Sequence, residues 1–194
     1  MGKQEERVYL VAVALVVVCS IAMGPSARAD DQAYAELSGD QFGIIDLTSG
    51  QFTLIASNGG GALGQVGGVL YAHNGGTLYT VNASGGSLTP VGTGAANLQV
   101  FGSTTAGLFG LDYAMNLYSV DPATGTATLI GSTGLAPPDH IGLSSGSDQL
   151  YLTAQYGTSS PALYLINISP GGGVATFLTN TPAVFGPVFV GGNL

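Results

Sequence analysis

The stretch "LYSVDPATGTATLIG" (117–131) has a near-duplicate upstream, "LYTVNASGGSLTPVG" (78–92). Each is an apolar run rich in β-formers, then a polar turn, then a second apolar run, which is the pattern of a β-hairpin. In the later copy Pro122 presets φ for a type I turn, and Gly125 supplies the left-handed residue that follows it. Asp121, or Asn82 in the other copy, caps the turn with its side-chain oxygen. Sliding the chain by 39 residues lays Gly68–Gly92 on Gly107–Gly131 without a gap, so that Gly68 meets Gly107 and Gly86 meets Gly125.

Two further copies flank this pair. "YAELSGDQFGIIDLTSGQFTLIA" (34–56) aligns at an offset of 36 and puts Asp46 and Gly50 on Asn82 and Gly86. "LYLINISPGGGVATFL" (163–178) puts Asn167 at the Asp/Asn position, with a longer Gly-rich turn. Asp46, Gly50, Asn82, Gly86, Asp121, Gly125 and Asn167 are therefore expected to be structural turn residues. The segments beside the turns carry apolar residues on both faces, as at Leu117, Tyr118 and Val120. Such strands belong to sheets covered on both sides. Beyond the amino-terminal apolar run no sustained 3.6-residue period appears, and the expected fold class is all-β.

A period near 40 with several short strands per copy is the signature of a β-propeller blade. The copies span about 33–58, 62–94, 98–134 and 139–180. The first offers three strands, and "AVFGPVFVGG" (183–192) offers one more, echoing "QVFG" at 99–102. The expected architecture is a propeller of about four blades with a mixed terminal blade, 183–192 being the closing strand. The alternative is a fragment of a larger propeller.

The amino end reads as a leader. "MGKQEER" precedes an apolar run from Val8 to Met23, and "GPSARA" follows it. The run is short for a membrane span, and Ala27 and Ala29 give the small-x-small cleavage pattern. Residues 1–29 are thus expected to be a signal peptide cleaved after Ala29, with 30–194 the repeat domain, secreted or periplasmic. An uncleaved anchor is the alternative. Cleavage would remove Lys3, Arg7 and Arg28, the only three basic residues, and Cys19, the only cysteine. Without Glu5 and Glu6, nine carboxylates remain: Asp30, Asp31, Glu36, Asp40, Asp46, Asp112, Asp121, Asp139 and Asp148. Nucleic acid and anionic membrane surfaces are bound mainly through Lys and Arg, so neither is an expected partner. Without a disulfide, burial and backbone hydrogen bonds must hold the fold.

Catalytic signatures are sparse. No Ser stands in a G-x-S-x-G elbow. His73 and His140 fall at unrelated points of the repeat and read as structural rather than as a metal pair. Asp112 and Asp148 are the one carboxylate pair to weigh for acid–base work, against a plain role in turns. Calcium is the alternative role for Asp46 and Asp121, because hard cations take carboxylate and carbonyl oxygens; no other cofactor is expected. The sequons "NAS" (82–84) and "NIS" (167–169) both fall on the repeated turn.

The hairpin "LYxVDPxTGxxTxIG" resembles the repeat of secreted bacterial β-propeller proteins of the YVTN and NHL kind. The resemblance covers most of residues 30–194 and concerns the structural repeat, with no functional motif matched. The chain contains no Trp, so the WD, kelch, Asp-box and quinoprotein signatures are missing. The Glu, Asn and Asp metal set of gluconolactonase-like propellers has no counterpart beyond Glu36, the one glutamate after residue 29. The expected function is a secreted, non-enzymatic binding or scaffold propeller with a protein or glycan partner. The alternative is a metal-dependent hydrolase or lactonase acting in the propeller channel. Carboxylates converging on that channel from several blades would favour the enzyme.

Overall fold

The computed structural model describes residues 16–18, 32–37, 40–46, 49–94, 97–146 and 148–181. Among them the secondary structure is all β, in four antiparallel four-stranded sheets. The first holds β1 (Val16–Val18), β2 (Gln32–Leu37), β3 (Gln41–Asp46) and β4 (Phe52–Ser57). The second holds β5 (Ala62–Val66), β6 (Val69–Asn74), β7 (Thr77–Val81) and β8 (Leu88–Gly92). β9 (Leu98–Thr104), β10 (Gly107–Asp112), β11 (Asn116–Val120) and β12 (Ala127–Ser132) form the third. β13 (His140–Gly146), β14 (Gln149–Gln155), β15 (Ala162–Ile166) and β16 (Ala175–Asn180) form the fourth. Each sheet is a meander of consecutive hairpins, and the four are arranged as the blades of a β-propeller. β1, β5, β9 and β13 are the inner strands, with β1 lying between β5 and β13.

Apolar residues on both faces of the middle strands account for this packing, because each blade must be covered twice. Phe42, Leu63, Leu70, Ala72 and Val81 form the core between blades one and two. Tyr71, Leu78, Phe101, Leu108 and Val120 fill the next seam. Phe109, Leu111, Leu117, Leu143, Leu152 and Ile166 fill the third. Among the described residues no comparable cluster joins blade four to blade one. At that seam Leu178 is 41 % exposed, although Ile55 and Ile130, at its place in other blades, are half-buried.

The third and fourth strands of every blade share an irregularity. The register shifts between Phe42 and Gly43, Leu78 and Tyr79, Leu117 and Tyr118, and Leu163 and Tyr164. A bulge of this kind adds local twist to the outer strand, and it recurs just after a buried apolar residue of each third strand.

One expectation falls outside the described residues, and another needs correcting. The inner strand of blade one is Val16–Val18, paired with β2 through Val16↔Glu36 and Val18↔Tyr34. That is the place assigned from sequence to 183–192, which lies outside the described residues, as does the cleavage site at Ala29. The gapless match of Gly68–Gly92 to Gly107–Gly131 also hides a one-residue slip. Strand pairing equates His73 with Leu111, since they face Leu78 and Leu117, whereas the gapless match sets His73 on Asp112. The cause is turn length: Gly75-Gly76 joins β6 to β7, but Tyr113-Ala114-Met115 joins β10 to β11. Met115 takes φ 62° to close the longer turn.

Candidate functional site

The residues singled out from the repeat lie on the turns between third and fourth strands. The Ser49 N–H donates to Asp46 Oδ1 at 2.9 Å, and the Ser84 and Gly85 N–H groups donate to Asn82 Oδ1 at 3.0 and 2.9 Å. Ala123 N–H and the Thr124 hydroxyl donate to Asp121 Oδ1 and Oδ2 at 2.9 and 2.8 Å, and Ser169 N–H donates to Asn167 Oδ1 at 3.0 Å. These bonds, led by that from Ala123, hold the Asp121 carboxyl below its ordinary value. Gly50, Gly86 and Gly125 sit at φ of 72°, 69° and 73°, a region an L side chain enters only at a cost. The oxygens of Asp121 are thus turned onto the turn's own donors.

The turns also touch the preceding blade, which the repeat alone did not disclose. Asn58 Nδ2 donates to Gly86 O at 2.7 Å, Ala127 N–H to Gly94 O at 3.1 Å and Ala175 N–H to Thr133 O at 3.0 Å. A Cβ on Gly92 would collide with Thr124 O, and one on Gly131 with Gly172 O. Gly50 in blade one has no such neighbour among the described residues.

Asp112 and Asp148 are not brought together. Asp112 follows β10 and accepts bonds from Ala114 N–H (2.9 Å), Asn116 N–H (2.9 Å), Asn116 Nδ2 (3.0 Å) and the Tyr118 hydroxyl (3.1 Å). Asp148 precedes β14, at the opposite end of its blade, where it accepts from the Thr105 hydroxyl. Asp139 serves a third turn, accepting from Gly157 N–H. His73, 4 % exposed, packs its ring 5.9 Å from that of Phe101, while His140 begins β13 at the surface. Among the described residues no group of three or more His, Cys, Asp or Glu side chains is placed to hold a metal.

One side chain that sequence reading passed over stands apart. Strand pairing puts Glu36, His73, Leu111 and Thr153 at equivalent points, facing Phe42, Leu78, Leu117 and Leu163. In Leu111 this position feeds the core between blades. In Glu36 it places a carboxyl, 8 % exposed, in the seam between blades one and two. Neither Glu36 oxygen has a hydrogen-bond partner. Burial pushes its pKa up to about 7; the nearby N–H groups of Gly61 and Gly60 offset part of that, and the Asp40 charge adds to it. The Gly60 N–H is committed elsewhere, to Asn58 Oδ1 at 3.0 Å. Two signals in the sequence mark the spot: Glu36 is the one glutamate after residue 29, and Gly59-Gly60-Gly61 runs beneath it.

The fold has counterparts among solved structures. A protein of unknown function from Bacteroides thetaiotaomicron is similar at a TM-score of 0.54 and 18 % identity, over 78 % of this chain and 42 % of that one. A chain in a nidogen/laminin complex is similar at a TM-score of 0.55 and 14 % identity, over 84 % of this chain and 65 % of that one. This chain therefore spans less than two thirds of either, and at such identities the likeness is one of fold. No family model matches the chain, and no curated protein matches it in sequence.

Proposed function

We propose that this chain is an exported, non-enzymatic binding or scaffold module, a propeller of the YVTN and NHL kind that presents its loops and blade edges to a protein or glycan. The observation carrying this reading is where the carboxylates go. Asp112, Asp121, Asp139 and Asp148 are each bonded to a turn or to the adjacent blade, so they serve architecture at separate turns of blades three and four. Exposed apolar side chains occupy the outer strands instead, with Leu54, Leu129 and Phe177 at matching places opposite the strand irregularity. The nidogen/laminin neighbour is a propeller-like chain found in a protein complex, which is in keeping with a protein partner. Assaying the exported protein on lactone and ester panels, with and without divalent metal, separates the readings. No turnover is expected, and metal-dependent turnover would transfer the assignment to a hydrolase or lactonase.

Export rests on the leader. Cleavage after Ala29 removes Val16–Val18, and in this reading 183–192 then takes their place beside β2. Amino-terminal sequencing of protein from the medium or periplasm should begin at Asp30. An intact chain from Met1 in the membrane fraction would overturn it.

A further inference from the structure

We infer that the seam between blades one and two is a binding site for a hard divalent cation of the calcium class, held by Glu36, Asp40 and Asn58. The three side chains converge on the loop that carries the chain from β4 to β5. The point where a Gly60 Cβ would stand is 3.5 Å from Glu36 Oε2 and 3.3 Å from Asn58 Oδ1. The equivalent point on Gly59 is 3.8 Å from Asp40 Oδ2 and 3.9 Å from its Oδ1. The Gly60 point also lies 3.2 Å from Ala72 Cβ, so only a residue without a side chain lets the loop come this close to these oxygens.

Electrostatics supply the driving force. Glu36 is buried with both oxygens unpartnered, and Asp40 adds a second negative charge close enough to be felt. No Lys or Arg occurs among the described residues to answer them, since Lys3, Arg7 and Arg28 all lie outside. A buried carboxylate is tolerated when it is paired, protonated or metal-bound. The donor set is oxygen only, two carboxylates and an amide, which suits calcium or magnesium rather than zinc or copper. Calcium accepts irregular geometry and completes its shell with water, whereas magnesium demands a near-ideal octahedron. An irregular Gly-rich loop therefore favours calcium. Asn58 is already oriented for the task, because its Nδ2 is tied to Gly86 O and its Oδ1 keeps a free lone pair beside the bond from Gly60. Since Gly86 belongs to the next blade, a bound ion would clamp the two blades.

With two carboxylates the affinity should be modest, with Kd about 10⁻⁴ to 10⁻³ M, as in extracellular calcium modules. The test is calcium titration of the full chain at pH 8 and constant ionic strength, followed by calorimetry and by thermal melting. At ten times Kd the melting temperature should rise by about 3–5 °C. Glu36→Gln keeps the side-chain volume and should abolish both the binding heat and the shift. Gly60→Ala keeps every ligand but presses a methyl group on Asn58 Oδ1 and Ala72 Cβ, at a backbone conformation that alanine can adopt, and should weaken binding at least tenfold. A wild-type protein with no calcium heat and no shift would overturn the site. Shifts of equal size in wild type and both variants would also overturn it, because they would place the ion elsewhere, for instance at the turns of Asp46 and Asp121.

Discussion

At Gly92 and Gly131 an added methyl group would run into the backbone carbonyl of the next blade's turn, that of Thr124 or Gly172. Neither carbonyl can retreat without pulling its hairpin off the neighbouring sheet. Gly92→Ala and Gly131→Ala should therefore each destabilise by about 2–3 kcal/mol, the range of overpacked sites. Gly85→Ala is the control, since its Cβ would meet nothing nearer than Asn82 Oδ1 at 3.6 Å; urea melts should separate it clearly from the other two. Gly125→Val should cost more than the roughly 1–2 kcal/mol of backbone strain alone, because its Cβ would also stand 2.9 Å from Gly92 O. From sequence, Gly125 is legible as a turn residue through its place after "DPAT". The second demand on it is not, because that comes from a blade some thirty residues away in the chain.

At the scale of the element, the turn closing β10 onto β11 is organised by one carboxylate. Burial alone would raise the Asp112 pKa, but the bonds from Asn116, Tyr118 and Ala114 outweigh it and hold the group below its ordinary 3.8. The folded protein then binds fewer protons than the unfolded chain between that lowered value and 3.8. Its contribution is present above 3.8 and is lost as pH falls through the folded value. Asp112→Asn should lower the melting temperature at neutral pH, and the gap to wild type should narrow as pH falls below about 3.8. A gap of constant width from pH 7 to pH 2.5 would mean that the carboxylate's charge plays no part. This turn is also where the repeat misleads. Hairpin pairs such as Val120 and Ala127 can be read directly from "LYSVDPATGTATLIG", because a turn of fixed length sets their register up to the bulge. The extra residue before Asn116 exchanges the two faces of β10 relative to β6, as any one-residue slip must. The kinship of Glu36 with His73 is lost in the same way, because the offset of 36 sets Glu36 on Ala72 instead.

For the whole molecule, three seams are alike and the fourth is not. Blades one to four are joined by apolar clusters and by turns seated on outer strands. The remaining seam rests on β1, whose three residues meet β5 and β13. If 183–192 takes over that position once the leader is gone, the two segments should be interchangeable. Deleting 183–194 should then be tolerated in a chain that begins at Met1. In a chain that begins at Asp30 it should abolish cooperative melting or cause oligomerisation, because it leaves the β2 edge unpaired. Thermal melts with light scattering on the four combinations decide it, and identical behaviour in both truncated forms would remove the exchange. The number of blades and the hairpins could be read from the repeat, but the uneven seam could not, since it depends on what lies beside each terminus in space.

The seating of each turn on the blade before it also has a direction. Gly86 meets Ala56, Gly125 meets Gly92 and Gly173 meets Gly131, so in every case the later hairpin rests on a strand synthesised earlier. A growing chain emerges amino end first, and each new hairpin finds its platform already made. Gly50, the equivalent glycine of blade one, meets no such platform among the described residues. The molecule is built to assemble in the order in which it is translated, like courses of brick, each laid on the one before.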